Sequence, residues 1–326
     1  MRAAYYEANG SARDVLKIGS VDEPQPGPGE VRVKLESSGV NPSDVKARSG
    51  RTRKIAFARV IPHSDGAGVI DKVGAGVPAS RVGERVWTWN GQWKRANGTC
   101  AEYITLPTDL AVPLPEKISF AAGACLGIPA MTAYHAVAAA GLDAATTVLI
   151  SGGAGAVAHY AIQFAKARGA VVITTVSSDA KAKVAKAAGA DHVIDYKRAD
   201  VGAAVKELTD GSGVDAVIEL DIAANAKLMP TVLRPRGTIV VYGTGAAEAA
   251  VPLYFFLTNF ITLKFIFVYD LTREERAEAV SAINRMLEKG ALIHNVAATY
   301  PLEQIVAAHE AVENGSVIGN VVVELG

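Results

Sequence analysis

From Val148 onward the chain alternates two hydrophobic patterns. Short, nearly continuous apolar runs occur at Val148-Leu149-Ile150, Ala170–Val176, His192–Asp195, Val214–Leu220 and Ile239–Tyr242. Between them, apolar residues recur every three or four positions. Val157, Ala161, Ile162 and Ala165 form one such stripe, with Lys166 and Arg168 near its end and Gly169 as a stop. Asp179–Ala188, Ala199–Leu208 and Ala223–Leu233 read the same way. Continuous runs are strands buried on both faces, and spacing of three or four is an amphipathic helix. Their alternation predicts an α/β domain with a doubly wound parallel sheet covered by helices.

The first strand leads into Ser151-Gly152-Gly153-Ala154-Gly155-Ala156 and then Val157. These residues are too small for anything but a tight turn. Backbone N–H groups at a helix start lack partners, the helix dipole favours negative charge there, and missing side chains let a diphosphate approach. The spacing is Gly152-x-x-Gly155-x-x-Ala158, a variant of the dinucleotide fingerprint. In such folds an acidic residue ending the second strand marks NAD. Here that strand ends in Ser177-Ser178, either of which can cap the next helix, and neither repels a 2′-phosphate. Asp179 follows and suits the first turn of that helix. The expected cofactor is NADPH. Tyr242 and Gly243, closing the fifth strand, join the candidate cofactor set.

The first third has a different texture. Val31-Arg32-Val33-Lys34-Leu35 alternates like a strand with one wet face, and Pro24, Pro26 and Pro28 interleave with Gly27 and Gly29 in a rigid loop before it. Gly66–Gly74 and Val82–Val86 continue the pattern of short strands, which predicts a partly closed β barrel. Arg273–Lys289 is an amphipathic helix, and the tail adds a helix and the strand Val321–Val323. The most apolar window, Tyr254–Val268, carries Asn259 and Lys264 and is short for a membrane span; it reads as buried or interfacial.

At 326 residues the chain suggests about two domains. Its 33 basic and 33 acidic residues cancel, so nothing calls for a nucleic acid or anionic membrane as partner. Cys100 and Cys125 are the only cysteines, too few for a zinc-ribbon cage or disulfide scaffold. The first residues hold no apolar signal core, and a cytoplasmic location is expected.

An ordered series of motifs carries a resemblance: Asn41-Pro42-Ser43-Asp44, His63-Ser64-Asp65-Gly66, Gly83-Glu84-Arg85-Val86, Gly127-Ile128-Pro129, the glycine turn, and Ala308-His309-Glu310. The chain resembles the medium-chain dehydrogenase/reductase superfamily, and within it the zinc-free quinone oxidoreductases related to zeta-crystallin. The resemblance implies a GroES-like barrel from residues 1–121 and 290–326 and a Rossmann domain from 122–289, with the substrate in a cleft. It also implies a homodimer paired through Thr262–Val268, the alternative being an internal core strand.

The positions that hold zinc in metal-dependent relatives match Asn41, Ser64 and Ile128, so the resemblance implies chemistry without a metal. His63 lies one residue out of register and reads as a loop histidine. A quinone or activated alkene then suits, needing orientation and one hydrogen bond to a developing oxyanion. Asn41 is the candidate donor, Asp44 holds its loop, and Thr132 would contact the nicotinamide or its ribose. Lys181 and Tyr196 match residues that such reductases place on the 2′-phosphate. Asn320 replaces a lysine that also helps there. Lys46, Arg48, Arg51, Arg53 and Lys54 are either a solvated loop or a cationic mouth for an anionic acceptor. The expected activity is NADPH-dependent reduction of a small-molecule quinone. The alternatives are an enal/enone C=C reductase and a dinucleotide-binding regulatory protein with vestigial catalysis.

Overall fold

The computed structural model describes residues 1–326. By chain contacts it divides into one unit of Met1–Pro129 with Val280–Gly326 and another of Ala130–Ala279. The crossings therefore fall at Pro129/Ala130 and Ala279/Val280, against the boundaries 121/122 and 289/290 read from sequence. The second crossing lies within the helix Arg273–Glu288.

The second unit is built on six parallel strands. Their spatial order is His192–Asp195, Val171–Val176, Thr147–Ile150, Val214–Glu219, Leu233–Val241, Thr262–Phe265. Numbered along the chain, that is third, second, first, fourth, fifth, sixth. This is the doubly wound order, whose direction reverses beside the first strand. Leu149, Ile173, Val217 and Ile239 are fully buried, as continuous apolar runs require in a sheet covered on both faces.

Two expectations for this unit are corrected. Ala223–Leu233 is not one helix. It is the short helix Ile222–Asn225, a 3-10 turn at Ala226–Leu228, and a second short helix at Met229–Val232. Pro230 lacks an N–H and fits the first turn of a helix but not its interior, so it restarts the helix rather than continuing it. The next strand accordingly begins early, at Leu233, and runs to Val241. Thr262–Val268 is a strand only over Thr262–Phe265, and it lies at the sheet edge. An internal core strand is ruled out, and the apolar window is buried only in part: Phe256 and Val268 are buried, and Phe255, Ile261 and Leu263 pack against the core. Leu253, Tyr254 and Leu257 on the preceding helix, with Phe260 and Phe265, are all at least 65% exposed.

The first unit carries a seven-stranded sheet and a separate two-stranded one. Its long strand Glu30–Val40 pairs antiparallel with Asp65–Val73, Tyr103–Pro107 and the C-terminal strand Asn320–Glu324. Eleven residues give one strand room for three partners. The last strand of the chain thus completes the sheet begun by the first third. Val31, Val33 and Leu35 are buried as expected. The facing side is less wet than the alternation suggests. Arg32 is only 3% exposed, held by Asp71 at 2.9 Å and lying 4.6 Å from the centre of the Tyr103 ring. Each partner satisfies a cation that could not otherwise be buried. No helix is long and apolar enough to cross a membrane.

Candidate active site

The glycine turn lies where the strand order reverses. Gly152 adopts φ 71°, and its N–H donates to Thr175 Oγ1 at 3.1 Å; the Gly153 N–H donates to the Thr175 carbonyl at 3.0 Å. A Cβ on Gly153 would collide with the Thr174 side chain, so the turn lies flat on the second strand only because it has none. Gly155 is the N-cap of the helix Ala156–Ala167 and supplies no side-chain cap. First-turn N–H groups of that helix are therefore available to an anion, with Ala154, Ala156 and Val157 beside them. These residues fit a dinucleotide diphosphate: the cradle is backbone, and a Cβ at Gly152 or Gly153 would collide with Leu220 or Thr174 and push the turn out of place. Beneath the turn, Ser151 Oγ donates to the buried Glu219 at 2.7 Å. The other Glu219 oxygen accepts from the Asp221 N–H and from Asn225, at 2.7 and 2.9 Å. The Tyr242 N–H donates to the Glu219 carbonyl at 3.1 Å, which sets Tyr242-Gly243 beside the same strand end. Burial pushes the Tyr242 phenol up.

At the end of the second strand, Ser178 caps the helix Asp179–Ala187, its oxygen accepting the Lys181 N–H at 3.4 Å. Lys181 Nζ donates to Ser177 Oγ at 3.0 Å, so the structure brings these residues together. Asp179 points elsewhere, pairing with Arg198 at 3.0 Å. Arg198 escaped the sequence reading because its partner lies a helix and a strand away. Tyr196 is half-exposed on the same side of the chain's third strand end. Thr132 is buried, on the helix Met131–Ala140.

Asn41 and Asp44 lie in the first unit. Asn41 caps the helix Pro42–Arg48: its side chain accepts the Asp44 N–H, while Asp44 Oδ2 accepts the Asn41 N–H at 2.8 Å. Burial pushes the Asp44 carboxyl up to about 7. The Asn41 amide also donates to Asp65 Oδ2 at 2.7 Å. Asp65 is fully buried and also accepts the Ile128 N–H, 2.9 Å from both of its oxygens. Burial holds Asp65 well above the ordinary carboxylate range. Gly127 must be glycine here, because a Cβ would run into the Asp65 carboxyl. Asp65 was quoted only as part of a motif; its role depends on Asn41 and Ile128, which are distant in sequence.

A buried chain of hydrogen bonds continues from Asp65. Thr99 Oγ1 donates to the Asp65 carbonyl at 2.6 Å, which uses its only proton. Ser38 Oγ, 2.8 Å away, must then donate to Thr99 and accept from His63 Nδ1, also at 2.8 Å. His63 Nε2 is thereby left as an acceptor, and His309 Nε2 donates to it at 2.9 Å. His309 Nδ1 ends the chain as a buried acceptor with no partner. Desolvation pushes His63 down to about 3 and His309 well below its ordinary value, so both rings are neutral. His63 lies in the loop before the strand Asp65–Val73, as expected, but it is fully buried, at φ 77°, and stacked on His309.

One residue of the cofactor set is buried, and one expectation changes. Asn320 is 5% exposed, and its amide donates to the Asn295 carbonyl at 3.2 Å. The basic run is not a single solvated loop. Arg48 is completely buried, bonding the Gly10 carbonyl at 2.6 Å and Glu313 at 2.7 Å, whereas Arg51 and Lys54 are exposed.

A doubly wound unit with a backbone glycine turn at its switch point, and a second unit of antiparallel strands with a buried polar site, are the parts of a dinucleotide-dependent oxidoreductase. Residues 27–116 match the alcohol dehydrogenase GroES-like domain, and residues 156–285 match the zinc-binding dehydrogenase family. The chain belongs to the quinone oxidoreductase family of the medium-chain dehydrogenase/reductase superfamily, and it is an NAD(P)-dependent oxidoreductase. It is 30% identical to Homo sapiens quinone oxidoreductase over 305 residues, which cover 93% of this chain and 91% of that one. A 2-haloacrylate reductase from a Burkholderia species is 31% identical over 317 residues, 94% of this chain and 92% of that one. The Escherichia coli quinone oxidoreductase solved with NADPH superposes with a TM-score of 0.87 at 26% identity, covering 99% of this chain and all of that one.

Proposed function

We propose that this protein is an NADPH-dependent, metal-independent reductase whose acceptor is a quinone. Bound NADPH would supply two electrons and a proton as hydride, and a proton from solvent would complete the reduction. The observation that carries the reading is the Asn41 amide, fixed by Asp65 at 2.7 Å where metal-dependent relatives place a zinc ligand. Asp65 accepts from the amide and Asp44 also bonds the Asn41 side chain; the amide so held is the proposed donor to the oxyanion that develops on the acceptor. Metal independence is supported by what occupies the neighbouring positions. Ser64 is a hydroxyl, and Ile128 has an apolar side chain that ligates nothing, with its N–H used on Asp65.

NADPH preference is supported by Ser177 and Ser178 at the second strand end, by Lys181 beside them, and by Arg198, which engages Asp179. Tyr196, Tyr242, Gly243 and Thr132 belong to the proposed cofactor surroundings, and Asn320 only if its amide turns from Asn295. A second reading, reduction of an activated C=C bond, is favoured by the likeness to a 2-haloacrylate reductase. We also propose a homodimer through the edge strand Thr262–Phe265. An unpaired edge flanked by exposed Phe265 and Phe267 invites a second copy. Sedimentation at micromolar concentration is expected to give the mass of two chains, and a monomer would refute the pairing.

The function is tested by following NADPH oxidation with a panel of quinones and enals, with and without a chelator. The expected result is turnover with quinones that survives chelation. Turnover with enals alone would move the assignment to C=C reduction, and no turnover with any acceptor would leave a dinucleotide-binding protein.

A further inference from the structure

The first unit contains a cavity of about 250 Å³ whose walls include Tyr6, Arg53, Lys54, Phe57, Trp93 and Lys94. Three of its lining side chains are cations and none is a carboxylate, although the chain as a whole is neutral. Such a one-sided pocket favours an anion. The arrangement is also held in place. Gln92 accepts from the Arg53 guanidinium, which lies 5.4 Å from the centre of the Trp93 ring, and Lys94 Nζ lies 5.5 Å from the same ring. Stacking on an aromatic face pre-orders a guanidinium for planar, bidentate recognition of a carboxylate. Lys94 sits at φ 58°, a left-handed conformation that costs energy in a long-chain residue.

The cavity lies close to the proposed chemistry. Ala47 lines it, on the helix that Asn41 caps, and six residues of helix span about 9 Å. Arg53 acts electrostatically on Asp44, the partner of Asn41. The volume falls below the roughly 300–1,000 Å³ typical of drug-sized ligands, so the occupant is compact.

From this geometry we infer that the cavity is an anion subsite for the acceptor, and that the enzyme selects small α,β-unsaturated carboxylates over their neutral esters. Arg53 takes the carboxylate, Lys54 and Lys94 add charge, and Trp93 and Phe57 cover the apolar carbons. The inference rests on the second reading, reduction of an activated C=C bond, and deepens it by naming the substrate class: the hydride would add to the β-carbon and a solvent proton to the α-carbon.

The test uses sorbate and methyl sorbate as matched probes, in two assays. In the first, NADPH-dependent reduction should favour the acid over the ester by about tenfold in kcat/KM, the scale of a charge-assisted bond. Arg53→Gln, and independently the exposed-site variant Lys94→Gln, should erase most of that ratio while leaving the ester little changed. Added salt should weaken use of the acid alone. In the second assay, sorbate should quench Trp93 fluorescence without cofactor, weakly in Arg53→Gln and not at all in Trp93→Phe. An acid-to-ester ratio of one or below, or one unmoved in both charge variants, would overturn the inference. If quinones are reduced while sorbate neither binds nor reacts, the anion subsite is wrong and the reductase reading stands. If no acceptor is reduced but sorbate quenches in an Arg53-dependent way, the subsite stands and the reductase reading falls.

Discussion

The glycine turn of one unit and the buried polar cluster of the other are built on opposite principles. Around Gly152 and Gly153 the working surface is backbone, and what matters is the side chains that are missing. Around Asn41 the surface is a run of buried polar groups held by one another: Asn41 on Asp65, Asp65 on the Ile128 N–H, Thr99 on the Asp65 carbonyl, and on through Ser38 to the paired histidines, where only His309 Nδ1 is left over. A backbone cradle recognises a phosphate whatever the rest of the ligand is. A side-chain donor must be aimed, and the low dielectric that strengthens its bond also penalises any partner left unpaired. The first region should therefore fail when a side chain is added, and the second when one is removed.

Removal should have the larger effect. Asp65→Ala strips the acceptor from two buried donors, the Asn41 amide and the Ile128 N–H, at about 1–3 kcal/mol each. Urea unfolding should register a loss of about 4 kcal/mol, with turnover falling further because Asn41 is no longer aimed. A loss below about 1 kcal/mol would mean that water replaces Asp65 freely. Addition comes next. Gly153→Ala forces a methyl group against Thr174, costing about 1–3 kcal/mol of stability, and lifts the turn off the strand. NADPH affinity should fall by about tenfold or more in calorimetry; unchanged affinity would show that the turn does not hold the cofactor. The smallest effect is on selectivity. Lys181→Ala removes one charge-assisted bond, worth about 1.5–3 kcal/mol. The NADPH-to-NADH ratio of catalytic efficiencies should drop by about tenfold. A ratio that does not move would return the discrimination to Asp179 and Arg198.

The same contrast explains what could be read from the sequence. The cradle was legible because its logic is local: an apolar run, small residues at fixed spacing and a helical stripe lie within twenty positions. The doubly wound sheet follows from repeating that pattern. The buried polar site was only half legible. Asn41 and Asp44 are three residues apart and form a recognisable cap, but Asp65 meets Ile128 and His63 meets His309 only once the barrel unit is closed by the C-terminal strand. Nothing in the pattern around His63 distinguishes a loop histidine from a fully buried one. Pro230 is a local signal for the split helix, but the apolar spacing runs straight through it and reads as one continuous stripe. The exposure of Leu253 and Phe265 could not be read either, since an interfacial segment and a core segment share one composition.

The central claim is that these regions divide the work, the backbone cradle binding cofactor and Asn41 acting on the acceptor as charge develops. Asn41→Ala tests it most directly when turnover and NADPH affinity are measured on the same preparation. Loss of one oxyanion donor in a dry site costs about 3 kcal/mol, so kcat should fall by about a hundredfold while the dissociation constant for NADPH stays within about twofold. Unchanged kcat with every acceptor, or a loss of NADPH affinity that matches the loss of turnover, would contradict the division.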